Sequence, residues 1–433
     1  MAAAVELGRA GLKVRILEAR DRIGGRIFTR RDPVSNAPIE LGAEFVHGRP
    51  AEIWELLRYA GITPEEMTGD AWCFRNGRLC ACDFFAAVDK LLGKLDDSGP
   101  DESFTEFLNR CGSDCDEENK RWAIGYVRGF HAADPGLISV HSLVKGIRAD
   151  EPIDGERAFH VPQGYEVLID VLRRRLREST ILDMGMPVEH IHWQPGRVRL
   201  GITGHSDAAE ASRLLITVPL GVLQAGRGDP GYIGFDPELP LFKRAALDQL
   251  AMGKVMRLVL RFRERFWDKL RPSDDPHKTL SNMSFLLSQE GFFPTWWTTM
   301  PRKLPIITAW APSSFAEQLS SLSEPEVLGT ALQTLSTLFG VDLARVETLL
   351  EAASWHNWQA DPFTRGAYSY VKKGGDTAQY DLGVPVENTL FFGGEATDTS
   401  GHTGTVHGAI ASGRRAANDI LRTYSGSTAA RPA

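Results

Sequence analysis

The chain has 433 residues, with 49 Lys and Arg against 56 Asp and Glu, for a formal charge of −7. That balance excludes nucleic-acid binding by bulk positive charge. At 42% hydrophobic and 24% charged the composition is that of a globular protein, long enough for two or three domains of about 150 residues each.

No run of about 18 apolar residues is present, and the amino terminus has neither a charged leader nor a cleavage pattern, so a soluble, cytoplasmic protein without a membrane partner is expected. Five cysteines, Cys73, Cys80, Cys82, Cys111 and Cys115, share one stretch. An odd count excludes a complete disulfide framework, and the spacings do not form paired C-x-x-C zinc knuckles. Reduced packing thiols and no bound metal are expected.

In chain order, residues 1–7 read as a helix of small apolar side chains stopped by Gly8 and Gly11. Residues 13–17 are apolar and β-branched, as in a buried parallel strand, and finish in Glu18. In dinucleotide-binding units a first strand and a G-x-G-x-x-G turn precede such a helix, and an acid about 20 residues after the glycines takes the ribose hydroxyls. Here the acid is present and the glycines are not. The chain is therefore expected to start just downstream of the diphosphate loop, to bind a dinucleotide poorly as it stands, and to bind it well with about 20 upstream residues restored.

Two glycine-marked turns, around 24–25 and 42–48, flank a predicted short hairpin. Residues 50–154 become helical and charged, with amphipathic helices predicted at 51–60, 84–95, 103–111 and 117–130 in one inserted, mostly helical region. A helix opened by residues 161–165 and running through 177, strands within 181–200 and a buried strand at 214–219 return the pattern to α/β. Further on, strands such as 257–262 mix with a helix at 324–339. A last buried strand at 390–392 ends in Gly393 and Gly394, and a final helix spans 406–424 with small residues towards its amino end. Residues 425–433 are expected to be disordered.

Six stretches carry a family resemblance: Glu18-Ala19-Arg20 with Gly24-Gly25-Arg26, then LGAEFVHG at 41–48, TVPLGVL at 217–223, DPFTRGAYSY at 361–370, FGGEAT at 392–397 and GTVHGA at 404–409. In this order they resemble the flavin-containing amine oxidases, and 45–48 with 405–408 look most like the polyamine oxidase and lysine demethylase branch. The resemblance implies an α/β chain with two domains. One is a Rossmann-like FAD-binding domain (1–50, 155–222 and 385–424) lacking its first strand and glycine loop; the other is an α+β substrate-binding domain (51–154 and 223–384). Ala367 stands where monoamine oxidases attach their flavin to a cysteine, so FAD is expected without a covalent bond. The demethylases' coiled-coil insertion has no counterpart, which makes a chromatin role unexpected.

Within that frame Glu18 is the candidate for the ribose hydroxyls, and Arg26 for the diphosphate or flavin through guanidinium donors. Ala19, Arg20, Gly25, Gly42, Ala43, Glu44, Phe45, Val188, Trp358, Gly394, Glu395, Thr405 and Val406 complete the candidate cofactor set. Glu395 resembles the family's flavin-contacting acid, and the last helix would aim its amino end at the flavin pyrimidine. Tyr368 matches an aromatic wall facing the amine, with Tyr370 on the same face and Trp358 behind. His47 is placed near the substrate entrance as a ligand for substrate nitrogen, or as a proton shuttle with a near-neutral pKa. Of Trp296 and Trp297, adjacent on a strand, at most one can line the cavity. Arg257, Tyr368, His47 and Thr405 form the candidate catalytic set.

Arg257 departs from the family, whose Gly-x-x-x-Lys strand carries a lysine beside flavin N5; arginine cannot act as a base near neutral pH. Lys254 should face the other way. Slow oxygen use, or a dehydrogenase with another acceptor, then stands beside oxidase activity. Arg257 also invites a carboxylate, which keeps an L-amino-acid oxidase open against an amine oxidase, with Glu44 the candidate partner for the distal ammonium of a polyamine. A catalytically inactive homologue is the third reading.

Overall fold

The computed structural model describes residues 1–425 other than 83, 113–115, 206–208, 273, 274 and 276. Cys115 and the predicted disordered tail beyond Ser425 lie outside the described residues.

The first helix is Ala2–Arg9, so Gly8 lies inside it and the turn falls at Gly11, whose φ of +84° suits a residue without a Cβ. Its face of Ala2, Ala3, Ala4, Val5 and Leu7 is buried. Small residues let the final helix Val406–Ser425 pack close: a Cβ on Gly413 would stand 3.6 Å from the Ala3 nitrogen. Beside this helix pair run two parallel strand pairs, Arg15–Glu18 with Ile181–Met184 and Leu214–Ile216 with Leu390–Phe392. Val188–Gln194 belongs to a separate four-stranded sheet.

A seven-stranded sheet forms the other large layer, ordered Leu350–Trp355, Val255–Phe262, Ile306–Pro312, Thr295–Thr298, Met283–Ser288, Asp70–Arg75 and Arg78–Ala81. Val255–Phe262 is buried at every residue. One face packs on Glu324–Phe339, which opens with a Ser323/Glu326 capping box and closes on left-handed Gly340, so both helix ends are set by local chemistry. A separate apolar core joins Phe84–Leu92, Phe104–Cys111, Glu117–Phe130 and Val140–Asp150.

The 50–154 region, mostly helical, also holds a hairpin, Asp70–Arg75 with Arg78–Ala81, at the edge of the large sheet. Its turn is Asn76-Gly77, both at positive φ, the two-residue signal that favours hairpins. Cys73 is disulfide-bonded to Cys82, and Cys111 is disulfide-bonded as well, so these are not reduced thiols. The Cys80 sulfur instead reaches the Cys73 carbonyl at 3.5 Å.

Candidate active site

The carboxyl ends of the parallel strands open onto one cavity of about 2050 Å³, the position where open α/β sheets hold ligands. Glu18, Ala19, Arg20, Gly25, Arg26, Gly42, Ala43, Glu44, Phe45, His47, Val188, Arg257, Trp358, Tyr368, Gly394, Glu395, Thr405 and Val406 all line it. Met186, Thr217, Val218 and Pro219, which carried no assignment, line it too. Lys254 does not; it pairs with Glu317 at 2.6 Å on the surface. Trp297 lines the cavity, whereas Trp296 is fully buried in the core.

Glu395 draws distant segments together. One carboxylate oxygen accepts from Arg26 at 2.7 Å; the other accepts from the Ser369 hydroxyl at 2.6 Å and the Gly404 N–H at 2.9 Å. Arg26 also donates to the Ala367 carbonyl at 2.8 Å. Expected as a ligand for flavin, Glu395 has its oxygens engaged by the protein and acts by positioning. Arg20 likewise turns its guanidinium to Asp361 and Thr364, both at 2.6 Å. Gly42 sits where a Cβ would come within 1.8 Å of the Arg26 carbonyl, so this turn admits only glycine.

Thr405 was expected to be catalytic, but its hydroxyl donates to the His402 carbonyl at 2.7 Å and accepts the Gly408 N–H at 3.0 Å. That is an N-cap on the last helix. Thr405 therefore shapes the cavity wall and has no proton to give a substrate.

The far half of the cavity is aromatic. Tyr368, its hydroxyl donating to the Phe130 carbonyl at 2.7 Å, packs on Gly404. Phe130 meets His47 with ring centroids 5.0 Å apart, His47 meets Phe45 at 6.1 Å, and Phe45 meets Trp297 at 5.5 Å. Trp310 continues the wall, 5.6 Å from Trp297.

Arg257 and Glu44 meet in this wall as a buried ion pair. Arg257 also donates to the Gly42 carbonyl at 2.6 Å, and Glu44 accepts the Trp297 indole N–H at 3.0 Å. Two expectations change together. Arg257 is held by Glu44 and is not presented to a substrate carboxylate, and Glu44 is neutralised and not presented to a distal ammonium. The amino-acid oxidase alternative loses the cation that motivated it.

His47 is half-buried in the cavity wall, and its desolvation there lowers its pKa to about 4 and leaves it neutral near pH 7, unlike the near-neutral shuttle expected. Burial also lowers His131 to about 4 and His407 to about 3, and raises Glu40 to about 7. Each histidine folds neutral and takes up a proton on unfolding at pH 5, so its contribution is present above its ordinary 6.5 and is lost as pH falls towards 4. Glu40 has the opposite sign: its contribution is present below its ordinary 4.5 and is lost as pH rises through about 7. With three groups against one, unfolding near pH 5 is expected to take up about two protons from this set. Urea unfolding should give lower stability at pH 5 than at pH 7, and Glu40→Gln should steepen the fall. A flat profile would contradict these burials.

The residues present fit a flavin dinucleotide. The amino end of Ala2–Arg9, whose first N–H groups lack intrahelical partners, opens on the cavity through Ala2 and Ala3. Glu18 stands at its rim, with one oxygen holding the Arg20 N–H at 2.9 Å. A Cβ on Gly25 would meet nothing within 4 Å, which leaves that turn open to close approach by a ligand.

The sequence model of the family described as "Flavin containing amine oxidoreductase" matches residues 1–90 and 88–421. The chain belongs to this family of enzymes. It is 27% identical to "Probable polyamine oxidase 4" of Arabidopsis thaliana over 98% of this chain and 85% of that protein. It is also 27% identical to "Lysine-specific histone demethylase 1 homolog 2" of the same plant, over 97% of this chain and 57% of that protein. Among solved structures, putrescine oxidase bound to putrescine superposes with a TM-score of 0.80 at 21% identity, covering 97% of this chain and 96% of that one. Cyclohexylamine oxidase from Brevibacterium oxydans IH-35A superposes at 0.76 with 20% identity, covering 98% and 96%. The fold is that of the amine oxidases.

Proposed function

We propose that the chain oxidises an amine with non-covalently bound FAD. The supporting observation is convergence: Glu18, Glu395 and Thr405, from opposite ends of the sequence, border one cavity whose other half is an aromatic wall. Glu18 would hold the ribose hydroxyls, the amino end of Ala2–Arg9 would face the diphosphate, and Gly394, Thr405 and Val406 would border the isoalloxazine.

When bound, FAD supplies the acceptor for a hydride leaving the carbon beside the amine nitrogen, which turns the amine into an imine that water hydrolyses to aldehyde and amine. The rest falls to the protein's own residues. The wall from Tyr368 to Trp310 binds and orients an alkylamine and keeps water from the reacting carbon. His47, neutral at pH 7, accepts a hydrogen bond from the substrate N–H and holds the amine near the wall. The hydrogen bond from Tyr368 to Phe130 fixes the ring that faces the substrate.

Mixing flavin-loaded protein anaerobically with amines and with amino acids tests the reading. Amines should bleach the flavin absorbance and amino acids should not, and the rate on readmitting air separates oxidase from dehydrogenase. Flavin uptake with no bleaching by any amine would overturn the proposal.

A further inference from the structure

A second cavity, of about 440 Å³, opens against the opposite face of Val140–Asp150. Leu143, Gly146, Ile147 and Asp150 of that helix line the large cavity, whereas His141, Lys145 and Arg148, spaced four and three residues apart on one face, line the small one. Asp97, Asp376, Gln379 of Ala378–Gly383, and Ser400 in the loop before the last helix line it as well. Both acids are already matched. The Asp97 oxygens accept from the Arg148 guanidinium at 2.5 and 2.8 Å, and Asp376 pairs with His141 Nδ1 at 3.1 Å. Lys145 has no such match: among the described residues its ammonium has neither an ion-pair nor a hydrogen-bond partner. Gln379 is the second unmatched group. It is 5% exposed, and its amide nitrogen is buried without a hydrogen-bond partner. Burying an amide donor with no acceptor is costly, and native proteins nearly always provide one.

An ammonium without a counter-charge and an amide N–H₂ without an acceptor, both lining one small cavity, suit an oxyanion, which brings negative charge for the first and lone pairs for both. A cation fits less well. Of the trio Asp101, His141 and Asp376, Asp101 already accepts the Ser139 hydroxyl at 3.0 Å and the Gly374 N–H at 2.6 Å, and the other His141 nitrogen meets the Gly99 carbonyl at 2.9 Å. We infer that the small cavity binds a compact oxyanion, a carboxylate or a phosphate, with Lys145 as its counter-charge and the Gln379 amide as a hydrogen-bond donor. The volume leaves room for a short body behind the anionic group, against Val371 and Ala149. Ser142 borders both cavities, and Ser400 precedes Gly401 of the large one, so the anion would seat directly behind a helix and a loop that wall the larger space.

This site stands independently of the amine-oxidation reading, and its test needs no flavin. Calorimetric titration of the whole chain with inorganic phosphate and with acetate reads binding, and the tighter ion identifies the anionic group. One ion per chain is expected. Lys145→Gln and Gln379→Leu should each weaken it roughly tenfold, the size of one charge-assisted contact. Lys269→Gln, at an exposed lysine outside the cavity, should leave it unchanged. On unaltered protein the bound ion should also protect Lys145 from acetylation by acetic anhydride, read by peptide mass spectrometry, which keeps the test decisive if a variant folds badly. The absence of binding by either ion, or acetylation of Lys145 undiminished at saturating ion, would overturn the site. Binding that Lys145→Gln and Gln379→Leu both leave intact would place the ion in the large cavity and overturn it equally.

Discussion

Glu395→Ala is expected to cost about 3–5 kcal/mol of stability and to abolish flavin retention, because it takes a buried carboxylate acceptor from three donors at once, one of them the half-buried Arg26 guanidinium. Glu395 is 4% exposed and spans 369 residues of sequence to reach Arg26. Without it, Arg26 keeps the Ala367 carbonyl but loses its counter-charge, and the Ser369 hydroxyl and Gly404 N–H lose their acceptor. Those three donors sit on the amino-terminal turn, the strand after Tyr368 and the loop leading into the last helix. The damage therefore falls on the relative placement of the segments bordering the cavity. Glu395→Gln keeps an acceptor oxygen and should lose less, while aiming an amide N–H₂ at donors on one side. Urea unfolding, with flavin content measured after gel filtration, checks both. A loss under about 1 kcal/mol for alanine would mean that Glu395 does not hold these segments together.

How much of this was legible before the structure depends on how local each feature is. Glu117–Phe130, Glu324–Phe339 and Leu390–Phe392 have the predicted bounds. In the two helices, a periodic apolar face and a cap, Asp116 or Ser323 with Glu326, occur within a few residues. The helix expected to open at 161–165 and run through 177 is shorter, Val167–Arg174, since the turn through Gly164 and Tyr165 is held by the distant Glu40 carboxylate accepting the Tyr165 N–H at 2.8 Å. The hairpin of Asp70–Arg75 was missed despite its Asn76-Gly77 signal, because the surrounding charged helical pattern outweighed it. Residues bordering the cavity could be chosen from motifs, but what each does there could not. The capping role of Thr405, the neutrality of His47 and the engagement of Arg257 by Glu44 all depend on neighbours that no periodicity encodes.

The Arg257–Glu44 pair gives the second large effect. Glu44→Gln should cost about 3–5 kcal/mol, since it leaves a guanidinium charge buried with the Gly42 carbonyl as its remaining acceptor. Arg257→Met should cost a similar amount by leaving the Glu44 carboxylate with the Trp297 indole N–H and, 3.6 Å away, His160. Removing both charges together should cost far less than the sum, because methionine and glutamine fill similar space and no isolated charge remains. A coupling energy above about 2 kcal/mol in that double-mutant cycle, read by urea unfolding, is the expected result, and additive losses would mean that the two side chains do not neutralise each other. Trp297 supplies an independent readout, since its indole donates to Glu44 and its ring lies 5.3 Å from the Arg257 guanidinium carbon. Either single change should shift its fluorescence, and the double change should move it back towards the unaltered protein, because removing one charge repolarises the indole's surroundings and removing both restores neutrality.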